Sequence, residues 1–303
     1  MRYAGAIDIG GTRTKIGLVA EDGSIVRRAT IPTSEAGEPA VLVDGIVATL
    51  RPMLDDESAK GRAARASGIG ASVAGFLDRE HAAMYGNANL PALCGFPLRR
   101  VLEERLALDC RLEVDSNAAL AAEYRYGAGR GSARLLGVTV GTGLGGAVIV
   151  DGALLRHTGE CAGDLGHIIL DPQGRRCTCG ARGCFEAMVC SAALSERAGG
   201  RMVRQVVAGA HQGEELAVEA LSETGWWLGL GLASLAPLFA PDRIVVGGGV
   251  AAAGGLLLEP VRASYRMHAG LEFREVQIVG SSFEGWEGMI GAASLFLGPQ
   301  DHP

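Results

Sequence analysis

The feature that most limits how this chain can fold is an internal repeat. Residues 6–26, AIDIGGTRTKIGLVAEDGSIV, and residues 135–155, LLGVTVGTGLGGAVIVDGALL, share one order of parts. Each reads as an apolar strand, a Gly/Thr turn, a second apolar strand, an Asp-Gly hairpin and a third strand. Asp-Gly between apolar runs is a strong hairpin signal, and internal self-similarity points to a supersecondary unit built twice. In PAVLVDGIVATLRPML, Leu42, Ile46, Leu50 and Leu54 recur four apart, the spacing of one helix face. ASGIGASVAGFLD reads as a buried strand running into a glycine-bearing loop, PLRRVLEERLAL as a helix and CRLEV as a short strand. SNAALAAEYRYGAG reads as a helix opened by Asp115 or Ser116 and closed by Gly127. After the second copy the pattern is mainly helical, with two short strands, RIVVGG and EVQIVG. The expected fold is α/β, with two similar domains facing each other across a cleft.

Bulk properties remove several function classes. A chain of 303 residues, 48% hydrophobic and 20% charged, can bury a substantial core and is not disordered. The net charge of −6 gives no electrostatic case for a nucleic-acid partner. The start, MRYAGAIDIGGT, lacks a basic segment followed by an apolar one, so no signal peptide is expected. The longest apolar run, WWLGLGLASLAPLFA, is shorter than the ~20 residues a bilayer requires, so no membrane span is expected. Those readings place the protein in the cytoplasm, where thiols stay reduced.

Three glycine turns follow strands. Gly10-Gly11-Thr12 comes after the strand that carries Asp8. Gly141-Thr142-Gly143, with Gly145 and Gly146, follows the first strand of the repeat's second copy, and Gly247-Gly248-Gly249 follows RIVV. Successive backbone N–H groups in such turns form anion-binding concavities. Two facing hairpins suit a polyphosphate tail, and the third turn suits a base or ribose. Singly, each reads as an ordinary turn; the order and the duplication carry the weight. Asp8 reads either as a turn cap or as an oxygen partner for Mg²⁺ on the phosphates. Asp115 reads either as a helix N-cap or as a general base for an attacking hydroxyl.

Cys177, Cys179 and Cys184 follow a C-x-C-x4-C spacing, with His167 upstream. Three thiolates and an imidazole suit a closed tetrahedral Zn²⁺ site, and a reducing compartment favours metal over disulfides; the alternatives are a reactive thiol cluster or an adventitious one.

DIGGT, VDSNAALAAE, TVGTGLGGAVI, AGDLGH, CTCGARGCFE and VVGGGV, in that order, resemble the ROK family of sugar kinases and sugar-responsive repressors. The histidine-plus-cysteine element is the specific part; the glycine turns alone fit the whole actin-like ATPase superfamily. The resemblance implies two actin-like (ribonuclease H-like) domains with the active site in the interdomain cleft. The smaller domain would comprise residues 1–116 with 287–303, and the larger one, 117–286, would carry the zinc element. It implies phosphoryl transfer from ATP, with Mg²⁺, to a hydroxyl of a hexose or N-acetylhexosamine. Asp8, Gly10, Gly11 and Thr12 would form the first phosphate turn, and Thr142, Gly143 and Gly145 the second. Gly247, Gly248 and Gly249 would lie near adenosine. Asp115 would be the catalytic base. Asn89, Asp164, His167 and Glu186 would face the sugar, and His167 would also join the cysteines on structural zinc. A homodimer is implied as well.

Three positions depart from the family pattern. Val114 stands where Asn usually precedes the catalytic Asp, Asp164 where Glu is usual, and Ala74 where Pro usually precedes the glycine of the sugar loop. An apolar Val114 and a shortened Asp164 imply a sugar other than glucose as the preferred substrate. The alternative is a catalytically weak sugar sensor of the same family. The family's repressors place a helix-turn-helix before the first phosphate turn, and only seven residues precede Asp8 here.

Overall fold

The computed structural model describes residues 2–33, 38–59, 66–86, 90–156 and 164–297. It comprises two compact units. One is Met1–Tyr126 with Arg156–Ala162 and Trp286–Pro303; the other is Gly127–Leu155 with Gly163–Gly285.

In the first unit, β1 (Tyr3–Ile9), β2 (Arg13–Ala20) and β3 (Ile25–Pro32) form the antiparallel meander of the first repeat copy. Helix α1 (Pro39–Ala59) follows, and its predicted face, Leu42, Ile46, Leu50 and Leu54, is buried against the sheet core of Ile7, Ile9, Ile16 and Leu18. Next come β4 (Ile69–Val73), a small hairpin of β5 (Phe76–Leu77) with β6 (Met84–Gly86), helix α2 (Leu98–Leu106), β7 (Cys110–Val114) and helix α3 (Asp115–Tyr126). The sheet order is β3-β2-β1-β4-β7, with β1, β4 and β7 parallel. The C-terminal helix, Glu287–Leu297, returns to this unit.

The second unit repeats the plan. β8 (Arg134–Val140), β9 (Leu144–Val150) and β10 (Ala153–Leu154) form the meander, and β11 (Arg243–Gly247) and β12 (Gln277–Gly280) extend it in parallel. Its order, β10-β9-β8-β11-β12, matches the first sheet strand for strand. Between these strands lie helices α4 (Phe185–Val189), α5 (Ser191–Arg197), α6 (Val203–His211), α7 (Glu215–Phe239) and α8 (Gly255–His268). No described helix is long and apolar enough to cross a membrane.

The division differs from the one expected at Ser116. Helix α3 stays whole in the first unit because it packs backbone to backbone on the C-terminal helix. A Cβ at Gly291 would lie 1.7 Å from the Ala118 carbonyl oxygen, so the contact depends on glycine there. A cut at the head of α3 would break that packing.

Candidate active site and metal centre

In the first unit the functional side chains collect at the carboxyl ends of parallel strands, where open α/β sheets place ligands. Asp8 and Ser72 are register partners on β1 and β4, and Val73 pairs with Val114 on β7, just before Asp115. The Asp8 carboxylate accepts a hydrogen bond from Ser72 Oγ at 2.7 Å and pairs with Lys15 Nζ at 3.2 Å. Lys15 lies directly opposite Asp8 across the β1–β2 hairpin. The turn between them carries Gly10, Gly11 and Thr12, with the Gly10 N–H on the Arg13 carbonyl at 3.1 Å.

Asp115 is the first residue of α3, and its Oδ1 accepts the Ser116 N–H at 2.7 Å. It is also an unusual acid: burial, and then the neighbouring negative charge of Asp8, push its pKa up to about 7. The bond from the Ser116 N–H opposes that rise and is outweighed.

The second and third glycine turns are brought together in the second unit. Thr142 and Gly143 sit in the β8–β9 turn, and Gly145 pairs with Thr139 in the ladder. Gly247 closes β11 in register with Thr139, and the Val250 N–H bonds the Val140 carbonyl at 3.1 Å. Gly248 takes a positive φ of 89° against Val140, and Gly249 follows it. Asn89 lies outside the described residues.

The cysteine element folds as a small knuckle. The Cys177 N–H bonds the Ala181 carbonyl at 2.9 Å, and Ile169 bridges Cys184. Gly183, at φ 68°, lets the chain pass Asp171, whose carbonyl oxygen would stand 1.5 Å from any Cβ. His167 Nδ1 is 3.6 Å from Cys177 Sγ, Cys179 Sγ is 3.6 Å from Cys184 Sγ, and the four ligand atoms all lie within 4.8 Å of one another. Two thiolates at the usual ~2.3 Å from a tetrahedral Zn²⁺ stand about 3.8 Å apart, so the donor set and its spacing fit that ion. Burial pushes the Cys184 thiol up to about 12, and a cation beside it is what makes a thiolate there affordable. The other ring nitrogen, His167 Nε2, stands 3.3 Å from Asp164 Oδ2, the carboxylate partner that orients metal-bound histidines. Burial, more than any charge, raises the pKa of Asp164 itself.

Glu186 lies two residues beyond Cys184, in α4. Its Oε2 accepts the Leu144 N–H at 2.9 Å, and its Oε1 is 3.8 Å from Cys177 Sγ. It therefore touches both the knuckle and the second glycine turn, a contact across 42 positions of sequence that no local pattern announces. Other participants also escape a sequence reading. Glu113, 1% exposed, accepts from Arg156 at 2.9 Å and from Asn117 and the Val114 N–H at 3.0 Å each, and so anchors the head of α3 beside Asp115. Glu287, buried beside the Asp8–Lys15 pair, has an Oε2 without a hydrogen-bond partner among the described residues, and burial raises its pKa. Asp8 and that orphaned oxygen are hard oxygen donors of the kind Mg²⁺ takes. Lys15 alone had a legible signal: a charge in an apolar strand, placed opposite Asp8 by hairpin register.

Comparison with known proteins bears on the same elements. The family model described as "ROK family" matches residues 4–298. The chain belongs to the ROK family. A glucokinase of Streptomyces coelicolor is 34% identical over 318 residues, covering 97% of each chain. An N-acetylmannosamine kinase of Escherichia coli is 30% identical over 297 residues, covering 97% of this chain and 98% of that one. Among solved structures, a ROK family glucokinase of Streptomyces griseus, crystallised with glucose and AMPPNP, superposes with a TM-score of 0.84. It is 32% identical and covers 97% of this chain and 99% of that one. The likeness extends over both units, so the ROK chain described here has the actin-like α/β fold built twice.

Proposed function

We propose that this sugar kinase transfers the γ-phosphoryl group of ATP to a hydroxyl of a hexose or N-acetylhexosamine, with Asp115 as the base and with glucose not the preferred acceptor. The observation that carries the reading is the Asp115 carboxylate, raised to about 7 by burial and by Asp8, at the strand ends beside the first glycine turn. A base with that pKa is ionised enough at neutral pH to take a proton and basic enough to hold it. In the reaction the sugar oxygen attacks the γ-phosphorus as its proton passes to an Asp115 carboxylate oxygen, and ADP leaves.

The other residues bind and orient. The Gly10–Thr12 and Thr142–Gly143 turns offer backbone N–H groups to the phosphates, and Gly145, Gly247, Gly248 and Gly249 shape the nucleotide's surroundings. Asp8 would hold Mg²⁺, which neutralises charge on the transferring phosphates. His167, Cys177, Cys179 and Cys184 would hold zinc, whose contribution is structural: it fixes the knuckle so that His167 and Glu186 meet the sugar. Asn89 and Asp164 complete the sugar contacts in this reading.

The similarity to a glucokinase and to an N-acetylmannosamine kinase supports a hexose-type acceptor. Two positions argue that it is not glucose. The Val114 side chain offers no hydrogen bond, and the short Asp164 carboxylate is drawn onto His167. Each lost neutral hydrogen bond is worth ~0.5–1.5 kcal/mol, so the pair weakens a glucose-shaped acceptor by roughly 5- to 150-fold. Steady-state kcat/KM across hexoses and N-acetylhexosamines is expected to place another sugar above glucose. The Val114→Asn/Asp164→Glu double variant is expected to move the preference back towards glucose. A parent enzyme that prefers glucose outright refutes the specificity reading while leaving the kinase reading standing.

A further inference from the structure

The metal knuckle and the second glycine turn are joined by one rigid segment. It starts at Cys184, a ligand of the knuckle, passes through the single turn of α4 and ends at Ser191, the first residue of α5. At the knuckle end, the Phe185 N–H bonds the Ile168 carbonyl at 2.8 Å, next to His167. In the middle, Phe185 is fully buried under α7, in contact with the backbone at Gly231, and Met188 and Val189 are buried with it. The Cys190 N–H returns to the Glu186 carbonyl at 2.9 Å.

At its far end the segment grips the turn twice. Ser191 donates to the Gly141 carbonyl oxygen from its backbone N–H at 2.7 Å and from Oγ at 2.6 Å. Glu186 Oε2 takes the Leu144 N–H at 2.9 Å. The entry carbonyl and the exit N–H of the turn are thus both turned towards this segment, and the Gly141 N–H closes onto the Gly143 carbonyl at 2.9 Å. The N–H groups of Thr142 and Gly143, between these anchors, donate to no other group among the described residues. Gly143 is needed for the grip, since a Cβ there would sit 2.5 Å from Glu186 Oε2.

We propose that Ser191 and Glu186 are positioning residues through which the metal knuckle presets the donor-phosphate turn, so that the metal supports nucleotide binding as well as sugar binding. The segment has little freedom of its own, because its core side chains are packed between the knuckle and α7. Loosening the knuckle removes one of the two sides that hold the segment, so Glu186 and Ser191 shift together and the Thr142 and Gly143 N–H groups lose their common direction. This inference rests on the assignment of the Thr142–Gly143 turn to the donor phosphates.

The test uses the full chain and a non-hydrolysable ATP analogue. Ser191→Ala removes one of the two bonds to Gly141 and is expected to raise the analogue's Kd and the KM for ATP about 3- to 10-fold, with the sugar Kd and the bound metal unchanged. Ser191→Thr, which keeps the hydroxyl, is expected to restore both values. Chelating the metal from the parent protein is expected to raise the analogue's Kd and to speed amide hydrogen exchange in residues 141–146. Unchanged analogue binding in both Ser191→Ala and the metal-free protein overturns the coupling and leaves the kinase reading intact. A parent protein that binds no nucleotide at all overturns the donor-turn assignment and the coupling with it.

Discussion

An Asp115→Asn variant is expected to lose about 10²- to 10⁴-fold in kcat while becoming more stable above neutral pH. The first effect follows from removing the proton acceptor. The second follows from linkage. The Asp115 carboxyl is held at about 7 in the folded chain, against ~3.9 in an unfolded one. Between those values the folded state keeps a proton that the unfolded state has released, so stability falls as pH rises through the window and levels off above about 7. Asparagine carries no such penalty. Parent and variant should melt alike near pH 4, diverge as pH rises and stay apart above pH 7. Three pH units correspond to ~4 kcal/mol, reduced to the extent that water reaches the half-buried carboxylate. The parent's kcat/KM should show an acid limb near 7, falling below it as the base is protonated. An Asp115→Asn enzyme that turns over at the parent's rate removes Asp115 as the base. Superimposable melting curves at pH 8 show instead that the carboxylate is well solvated. A destabilised charge kept at a reacting centre is a common exchange of stability for activity.

Much of this architecture was legible before any coordinates, and the reason is physical. The repeat fixes alternation and turn chemistry locally, so strand–Gly turn–strand–Asp-Gly–strand specifies each meander, and both sheets adopt one strand order. Helix α1 was readable because Leu42, Ile46, Leu50 and Leu54 recur at helical spacing, and all four are buried. The knuckle was readable because C-x-C-x4-C confines three thiols within reach of one ion, and His167 joins them. Contacts set by tertiary packing were not readable. Glu186 finds the Leu144 N–H, and Glu287 comes beside Asp8, because remote elements fold back on one another. The helices α4 and α5 are too short to show a period, yet they carry the segment between the knuckle and the glycine turn. That α3 stays with the first unit as far as Tyr126 was not readable, because Asp115 signals the start of a helix, not the unit on which that helix packs.

The other large effect is expected from Cys179→Ser. Of the three clustered thiols this is the exposed one, while Cys177 and Cys184 are buried. Serine there removes a thiolate donor without opening a cavity, so the change reports on the metal and not on packing. The variant should bind less than one zinc per chain. Its sugar affinity should fall by at least ~10-fold, because His167 loses the ion that fixes its Nδ1 side and with it the orientation of Nε2. Cys110→Ser supplies the contrast. Cys110 is buried on β7 in the first unit and is not among the clustered donors, so that variant should melt at a lower temperature and yet keep its zinc and its sugar affinity. Metal analysis paired with calorimetric sugar titration separates the two cases. A metal-free Cys179→Ser protein that binds sugar as tightly as the parent would show that the knuckle holds its shape on backbone bonds alone. The ion would then contribute stability without aiming any residue at the substrate.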